Sequence, residues 1–179
     1  MSTLTTETFA IDPAHSGVEF SVRHLAISKV RGRFSGVAGT IEIPAGSSIP
    51  SAITAEIDVA TIDTREPQRD GHLKSEDFFH ASAYPKITFK STHIAQSGDG
   101  LAISGDLEIR GVTKPVTIDG AFEGRAKDPW GNARVALSGS TSINRKDFGL
   151  VWNQPLESGG LLVGEKIDIT LEVEGIAQK

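Results

Sequence analysis

The chain has 179 residues, a formal net charge of −5 and no cysteine. Disulfides, thiol catalysis and thiolate metal sites are therefore excluded, and lysine and arginine scattered among acids give no basic stripe of the kind a nucleic-acid binder presents. No run approaches the roughly 18 apolar residues of a membrane span, and the length suits one domain, 1–179, large enough to bury a sizeable core.

The first residues, Met1-Ser2-Thr3-Leu4-Thr5-Thr6-Glu7, have neither a charged n-region nor an apolar h-region, so the expected location is cytoplasmic. From there on, period-2 alternation dominates. Val18, Phe20, Val22 and His24 share one face against Glu19, Ser21 and Arg23. The segment Arg33 to Ile43 changes phase, with Phe34 out of step with Val37, Ile41 and Ile43, so a β-bulge is expected at Gly36. Ile53, Ala55, Ile57 and Val59 alternate next, followed by Ile87 and Phe89, then Ile103, Leu107 and Ile109. Val116, Ile118 and Phe122 come after, then Val135, Leu137 and Ile143, and last Ile167, Ile169, Leu171 and Val173.

Turn chemistry separates these runs, as at Pro44-Ala45-Gly46 and Asp128-Pro129-Trp130-Gly131-Asn132. Connections this short favour antiparallel neighbours, and one wet face per strand fits an antiparallel sheet. The expected fold is all-β: an eight-stranded antiparallel up-and-down barrel, whose closure removes sheet edges. A two-sheet sandwich is the alternative. Strands of about ten residues at ~3.3 Å each give a wall of roughly 33 Å, long enough for an extended guest. Gly39, Ala55, Ser91, Gly105, Gly120, Gly139 and Thr141 fall on inward positions. Singly, strand glycines mark bends; together they favour an open lumen.

Two segments escape the pattern. Residues 145–160, with Pro155 and three glycines, read as a loop. Residues 66–80 form a dense insert, Arg69-Asp70-Gly71-His72-Leu73-Lys74-Ser75-Glu76-Asp77-Phe78-Phe79-His80, with room for one or two helical turns. This break in a regular wall is where a functional site is expected.

Its chemistry has competing readings. Asp70-x-His72 could orient an imidazole as a general base for a hydrolase or isomerase, with Ser75 as nucleophile. No Gly-x-Ser-x-Gly elbow exists to present a serine, and a local hydrogen-bond pair is the commoner outcome. The histidines His15, His24, His72, His80 and His93 have no zinc spacing, so no metal is expected. Gly159 to Lys166 starts like a phosphate loop, but Glu165 stands where lysine must be. His24, on an apolar face, is either a satisfied core histidine or a polar fixture at the end of a lumen.

Several motifs in order resemble the YceI-like, polyisoprenoid-binding family across nearly the whole chain. They are Ile11-Asp12-x-x-His15-Ser16-x-Val18-x-Phe20-x-Val22-x-His24, then Arg69-Asp70-x-His72-Leu73-Lys74-Ser75-x-Asp77-Phe78-Phe79, then Tyr84-Pro85-x-Ile87-x-Phe89-x-Ser91-Thr92. Gly105-x-Leu107-x-Ile109-Arg110-Gly111-Val112-Thr113-Lys114-Pro115-Val116 and Ile143-Asn144-Arg145-x-Asp147-Phe148-Gly149 complete the set. The resemblance implies a lipocalin-like barrel with an elongated hydrophobic lumen, binding isoprenoid chains, quinone tails or similar amphiphiles.

The expected function is non-enzymatic binding, transport or storage of a long apolar lipid, with no cofactor. Phe20, Val22, Phe34, Ile57, Phe78, Phe79, Phe89, Leu107, Ile109, Ile118, Phe122 and Leu137 are expected along the tail. His24, Arg69 and His72 are expected at the head group. The alternatives are the Asp70–His72 hydrolase or isomerase, and a solid-core interaction module that dimerises through an exposed sheet face.

Overall fold

The structure, a computed structural model, describes residues 5–179. Eleven strand segments form one closed antiparallel sheet. They are β1 (Thr6–Ile11), β2 (Gly17–His24), β3 (Ser28–Phe34), β4 (Val37–Pro44), β5 (Ala52–Asp58), β6 (Ile62–Asp63), β7 (Lys86–Ser97), β8 (Gly100–Ile109), β9 (Val112–Lys127), β10 (Ala133–Asn144) and β11 (Val163–Ala177). One short helix, α1 (Pro67–Lys74), lies between β6 and β7.

Eleven segments reduce to eight staves because three staves are broken. β1 and β2 run successively along the single strand β11, Phe9 facing Ala177 and Val22 facing Ile167. β3 and β4 together face that first stave, and β6 and β5 face β3 and β4 in turn. The circuit then runs β5–β7–β8–β9–β10–β11 and closes on β1. The eight-stranded up-and-down barrel expected from alternation is the observed fold. β1 was not foreseen, since Thr6-Glu7-Thr8-Phe9-Ala10-Ile11 carries too few apolar residues to register as a strand.

The breaks have local causes. The carboxylate of Asp12 accepts the N–H of Ala14 and, with Pro13, turns the chain through a 3-10 turn, Pro13–His15. The phase change near Gly36 is a two-residue break between β3 and β4 rather than a simple bulge. It leaves both Phe34 and Val37 buried, and the N–H of Gly36 donates to the Thr61 hydroxyl. Register shifts occur elsewhere, between Ser91 and His93 on β7 and between Ala136 and Leu137 on β10.

The inward glycines serve packing more than space. A methyl group at Gly105 would lie 2.5 Å from the Phe89 ring, one at Gly32 2.3 Å from the Phe20 ring, and one at Gly139 2.7 Å from Ile118. Each glycine lets a neighbouring side chain lie flat across its strand. Gly39, at φ +145°, instead lies against backbone, where a methyl group would meet the Thr54 carbonyl on β5.

Two apolar clusters occupy the two ends of the barrel. One, around Phe9, Ile41, Ile43, Leu101 and Val135, closes the end where β1 begins and β11 ends. The other, around Phe34, Val59, Ile62, Phe78, Phe148 and Leu150, lies under α1 and the β10–β11 connection. Arg134 fastens the first end from outside, donating to Asp12 at 3.0 Å, Asp128 at 2.9 Å and Glu174 at 2.8 Å. This joins the β1–β2 break, the β9–β10 turn and β11.

Burial alone would raise the Asp128 carboxyl, but the Asn132 N–H, the Arg134 guanidinium, the Asn132 amide and the Trp130 N–H together hold it well below the ordinary carboxylate range. Asp12 is lowered chiefly by hydrogen bonds from His15 and Arg134. Carboxylates depressed on folding contribute stability that is present above the unfolded value, about pH 4, and lost as pH falls through the folded value. Urea midpoints of the wild type should therefore fall steeply below about pH 4. Asp128→Asn should start lower at neutral pH and fall less on acidification; parallel curves for the two proteins would contradict this role.

Candidate ligand-binding cavity

Between the two clusters the barrel encloses a cavity of about 340 Å³ with an almost wholly apolar lining. The interior is thus not solid, which removes the filled-core module as a reading of this chain. The wall comes from the inward faces of β1 to β5 and of β7 to β11. Among the small inward residues, Ala55 and Thr141 border it, whereas Gly39, Ser91, Gly105, Gly120 and Gly139 do not.

Most of the residues expected at the tail surround this space: Phe20, Val22, Phe34, Ile57, Phe78, Phe79, Phe89, Leu107, Ile109, Ile118 and Leu137. Phe122 lies apart, packed against the closed-end cluster with the Arg125 guanidinium 6.0 Å from its ring centroid. Its strand passes beyond the lumen before Phe122 is reached, a depth that alternation cannot show. His24, Arg69 and His72 all border the cavity at the end covered by α1.

That end is a lid built from non-sheet backbone. Glu66 caps α1 by accepting the N–H groups of Gln68 and Arg69, with Pro67 at the first helical position. Arg69, His72 and Leu73 fall three and four apart, so they share the face that meets the lumen. Asp70 faces away and accepts both the N–H and the hydroxyl of the buried Thr64. Arg69 donates to the same Thr64, from Nε to the hydroxyl at 2.8 Å and from Nη2 to the carbonyl at 2.7 Å. The helix is thereby pinned to the end of β6.

The proposed Asp70–His72 dyad is not formed. Residues two apart on a helix diverge, and the His72 Nε2 instead pairs with Asp77 at 2.8 Å. The His72 ring lies edge-on to Phe78 and Trp152, at centroid distances of 5.1 and 4.7 Å. Ser75 is no nucleophile beside it: its hydroxyl donates to the His72 carbonyl and ends the helix.

Two arginines hold the rest of the lid. Arg110, in the β8–β9 turn at φ +50°, donates to the carbonyls of Glu76 and Phe78 at 2.6 and 2.7 Å. Arg145, 3% exposed, donates to the carbonyls of Leu150, Trp152 and Gly164 at 2.7 to 2.9 Å and to that of Val163 at 3.3 Å. Its desolvation lowers its pKa, partly offset by Glu165. Arg145 borders the cavity, as do Phe148, Leu150 and Trp152 beyond it.

Residues 145–160, read from sequence as a bare loop, therefore supply half of the lid. The signal available was the alternation Phe148, Leu150, Trp152 inside a glycine-rich stretch. Among the described residues, one group of three metal-ligand types converges, Asp12, His15 and Glu174. Arg134 already supplies a cation to both of its carboxylates.

A profile of the YceI-like domain matches residues 9–175. The chain belongs to the YceI-like family. A UPF0312 protein of Vibrio cholerae serotype O1 is 35% identical over 164 residues, covering 91% of this chain and 82% of the relative. Among solved structures, Burkholderia cenocepacia BcnA superposes with a TM-score of 0.78 at 20% identity, covering 92% of this chain and 98% of BcnA. A polyisoprenoid binding domain from Saccharophagus degradans, implicated in plant cell wall breakdown, superposes with a TM-score of 0.69 at 14% identity, covering 95% and 98%. At these identities the two structures show the shared fold. Among the described residues of this YceI-like chain, no helix is long and apolar enough to cross a membrane.

Arg145→Met keeps the apolar stem but removes the guanidinium donors to the four carbonyls, of which only that of Val163 keeps a side-chain donor, the Asn153 amide at 2.7 Å. Hydrogen bonds from a charged donor are worth about 1.5–3 kcal/mol each, and freed carbonyls in a lid can partly rehydrate, so a loss of about 3 kcal/mol is expected. Urea unfolding measures this, and amide exchange in residues 150–163 should accelerate with it. Arg145→Lys should rescue little, since one ammonium cannot span four acceptors. An unchanged midpoint in Arg145→Met would refute the anchoring role.

Proposed function

We propose that the lumen binds the tail of a long-chain amphiphile, a polyisoprenoid or an isoprenoid quinone, and that the protein carries or stores this lipid without chemical turnover. The observation that carries the reading is a greasy cavity inside the barrel with its arginines and histidines gathered at one end. A volume of about 340 Å³ falls within the range of small-molecule sites. Each methylene moved from water into it contributes about 0.8 kcal/mol, so affinity grows with the buried length of the chain. A compact polar metabolite would find no partners along the walls.

His24, Arg69 and His72, together at the lidded end, suit a polar head. Arg69 favours phosphate or a carbonyl oxygen, because a guanidinium keeps its charge and donates along fixed directions. The engaged state of Asp70 and Ser75 favours recognition over hydrolysis. The family likeness to a domain described as polyisoprenoid binding points the same way.

Native mass spectrometry of the purified protein, followed by organic extraction, should recover one lipid per chain, or show uptake of an added prenyl quinone. Leu107→Trp with Ile169→Phe places bulk in the empty space, where overpacking strain is small. The double variant should lose at least about tenfold in quinone affinity, equivalent to about 1.4 kcal/mol, with little change in urea midpoint. A wild type that yields no lipid and takes up no quinone would sink the reading.

A further inference from the structure

We infer that the apolar tip of the β2–β3 hairpin is a docking element for an anionic lipid bilayer, holding the lidded end of the barrel against the membrane. The inference rests on the lumen being a lipid site, since the bilayer is then where the ligand comes from or goes.

Three observations converge on this tip. The first is exposure. Leu25 is 37% exposed, Ile27 81%, Val151 59% and Leu161 45%, and all four lie at the lidded end. They are joined through backbone: Leu25 donates its N–H to the Leu162 carbonyl at 2.9 Å, and Arg145 ties the carbonyls flanking Val151 to those of Val163 and Gly164. An exposed cluster of large apolar side chains marks a contact surface.

The second is strain. The turn joining His24 to Ile27 holds Leu25 at φ +56° and Ala26 at φ +58°. A β-turn with both central residues at positive φ favours Asn and Gly there, because other residues resist the left-handed region. An alanine and a bulky leucine there cost stability, and what they gain is a solvent-facing apolar point.

The third is charge. From Ser21 to Gly32 the hairpin carries Arg23, Lys29 and Arg31 and no carboxylate, in a chain whose net charge is −5. All three are exposed, and Arg23 faces Lys29 across the hairpin. The two carboxylates of β11 nearest the tip have partners outside the hairpin, Glu165 in Lys146 at 2.7 Å and Asp168 in Lys166 at 3.5 Å and the Ser142 hydroxyl, with Lys29 adding to the field at Asp168. An apolar point collared by cations matches the interface of an anionic membrane, where each Lys or Arg near the surface adds about 1 kcal/mol. The tip also continues into the lumen, since Arg23, His24, Leu162 and Val163 border the cavity. A lipid leaving the bilayer there enters the barrel without crossing open water.

The test is flotation of the full chain with mixed phosphatidylcholine–phosphatidylglycerol vesicles and with pure phosphatidylcholine vesicles. The wild type should float with the mixed vesicles and far less with the neutral ones, and added salt should release it. Lys29→Gln with Arg31→Gln should lower binding about tenfold or more. Leu25→Asn, Ala26→Gly and Ile27→Ser combined relieve the turn, so the variant should be at least as thermally stable and yet lose vesicle binding. Both variants should take up a prenyl quinone added in solution as the wild type does. Equal flotation on neutral vesicles, or binding unchanged in both variants, would overturn the docking role and leave the tip to a protein partner. Failure of quinone uptake by the wild type, with flotation intact, would instead count against the lumen reading alone.

Discussion

A closed sheet of eight strands has a girth that side chains from opposite walls can only just span. Everything else in this molecule follows from how that constraint is met at different depths. Where the walls carry Phe9, Ile41, Ile43 and Leu101, side chains meet across the axis and seal one end. Further along, the isoleucines, leucines and valines that line the barrel do not fill its width, and the cavity remains. At the far end the sheet gives way to α1 and the β10–β11 connection, whose aromatic and aliphatic residues bridge the opening.

A lid of this kind has a difficulty that the walls do not. Sheet backbone satisfies its own N–H and C=O groups, whereas a loop folded over an apolar cavity leaves carbonyls without donors. Arginines answer this: Arg110 for the segment carrying Phe78, and Arg145 for the segment carrying Leu150 and Trp152. A planar fork reaches several carbonyls at once, which a lysine cannot do. The same economy leaves cationic and imidazole groups beside an otherwise greasy space. Polar fixtures for a ligand head and donors for the lid backbone therefore come from one small set of residues, so the mouth of the barrel is both its most polar and its most mechanically dependent part.

Alternation was enough to read the walls, because strand period and inward face are local properties. It showed Phe20, Val22 and His24 on one face of β2, and they do share the cavity. It could not show depth along the barrel, so Phe122 was grouped with lumen residues although it belongs to the plug. Small residues misled for a related reason: Gly105 and Gly139 accommodate Phe89 and Ile118 on neighbouring strands, and cross-strand register is not written in a single strand. The pairing of His72 with Asp77 rather than Asp70 turned on whether the insert was helix or loop. Arg145 and Trp152 act through contacts made only in the folded lid, the one on backbone carbonyls and the other on His72 and Phe78. The sequence marks their segment as a break in the alternation and, as far as Gly149, by a resemblance of motifs.

The central claim is that an apolar chain occupies the space between plug and lid. Methyl NMR of the isoleucine, leucine and valine side chains during titration with a prenyl quinone tests it most directly. The account predicts large shifts at Ile57, Leu107, Ile118 and Ile169, which border the cavity, with Ile43 and Leu101 in the plug little changed. Shifts confined to exposed methyls such as those of Ile27 and Leu161, with the lumen methyls unmoved at saturation, would contradict it.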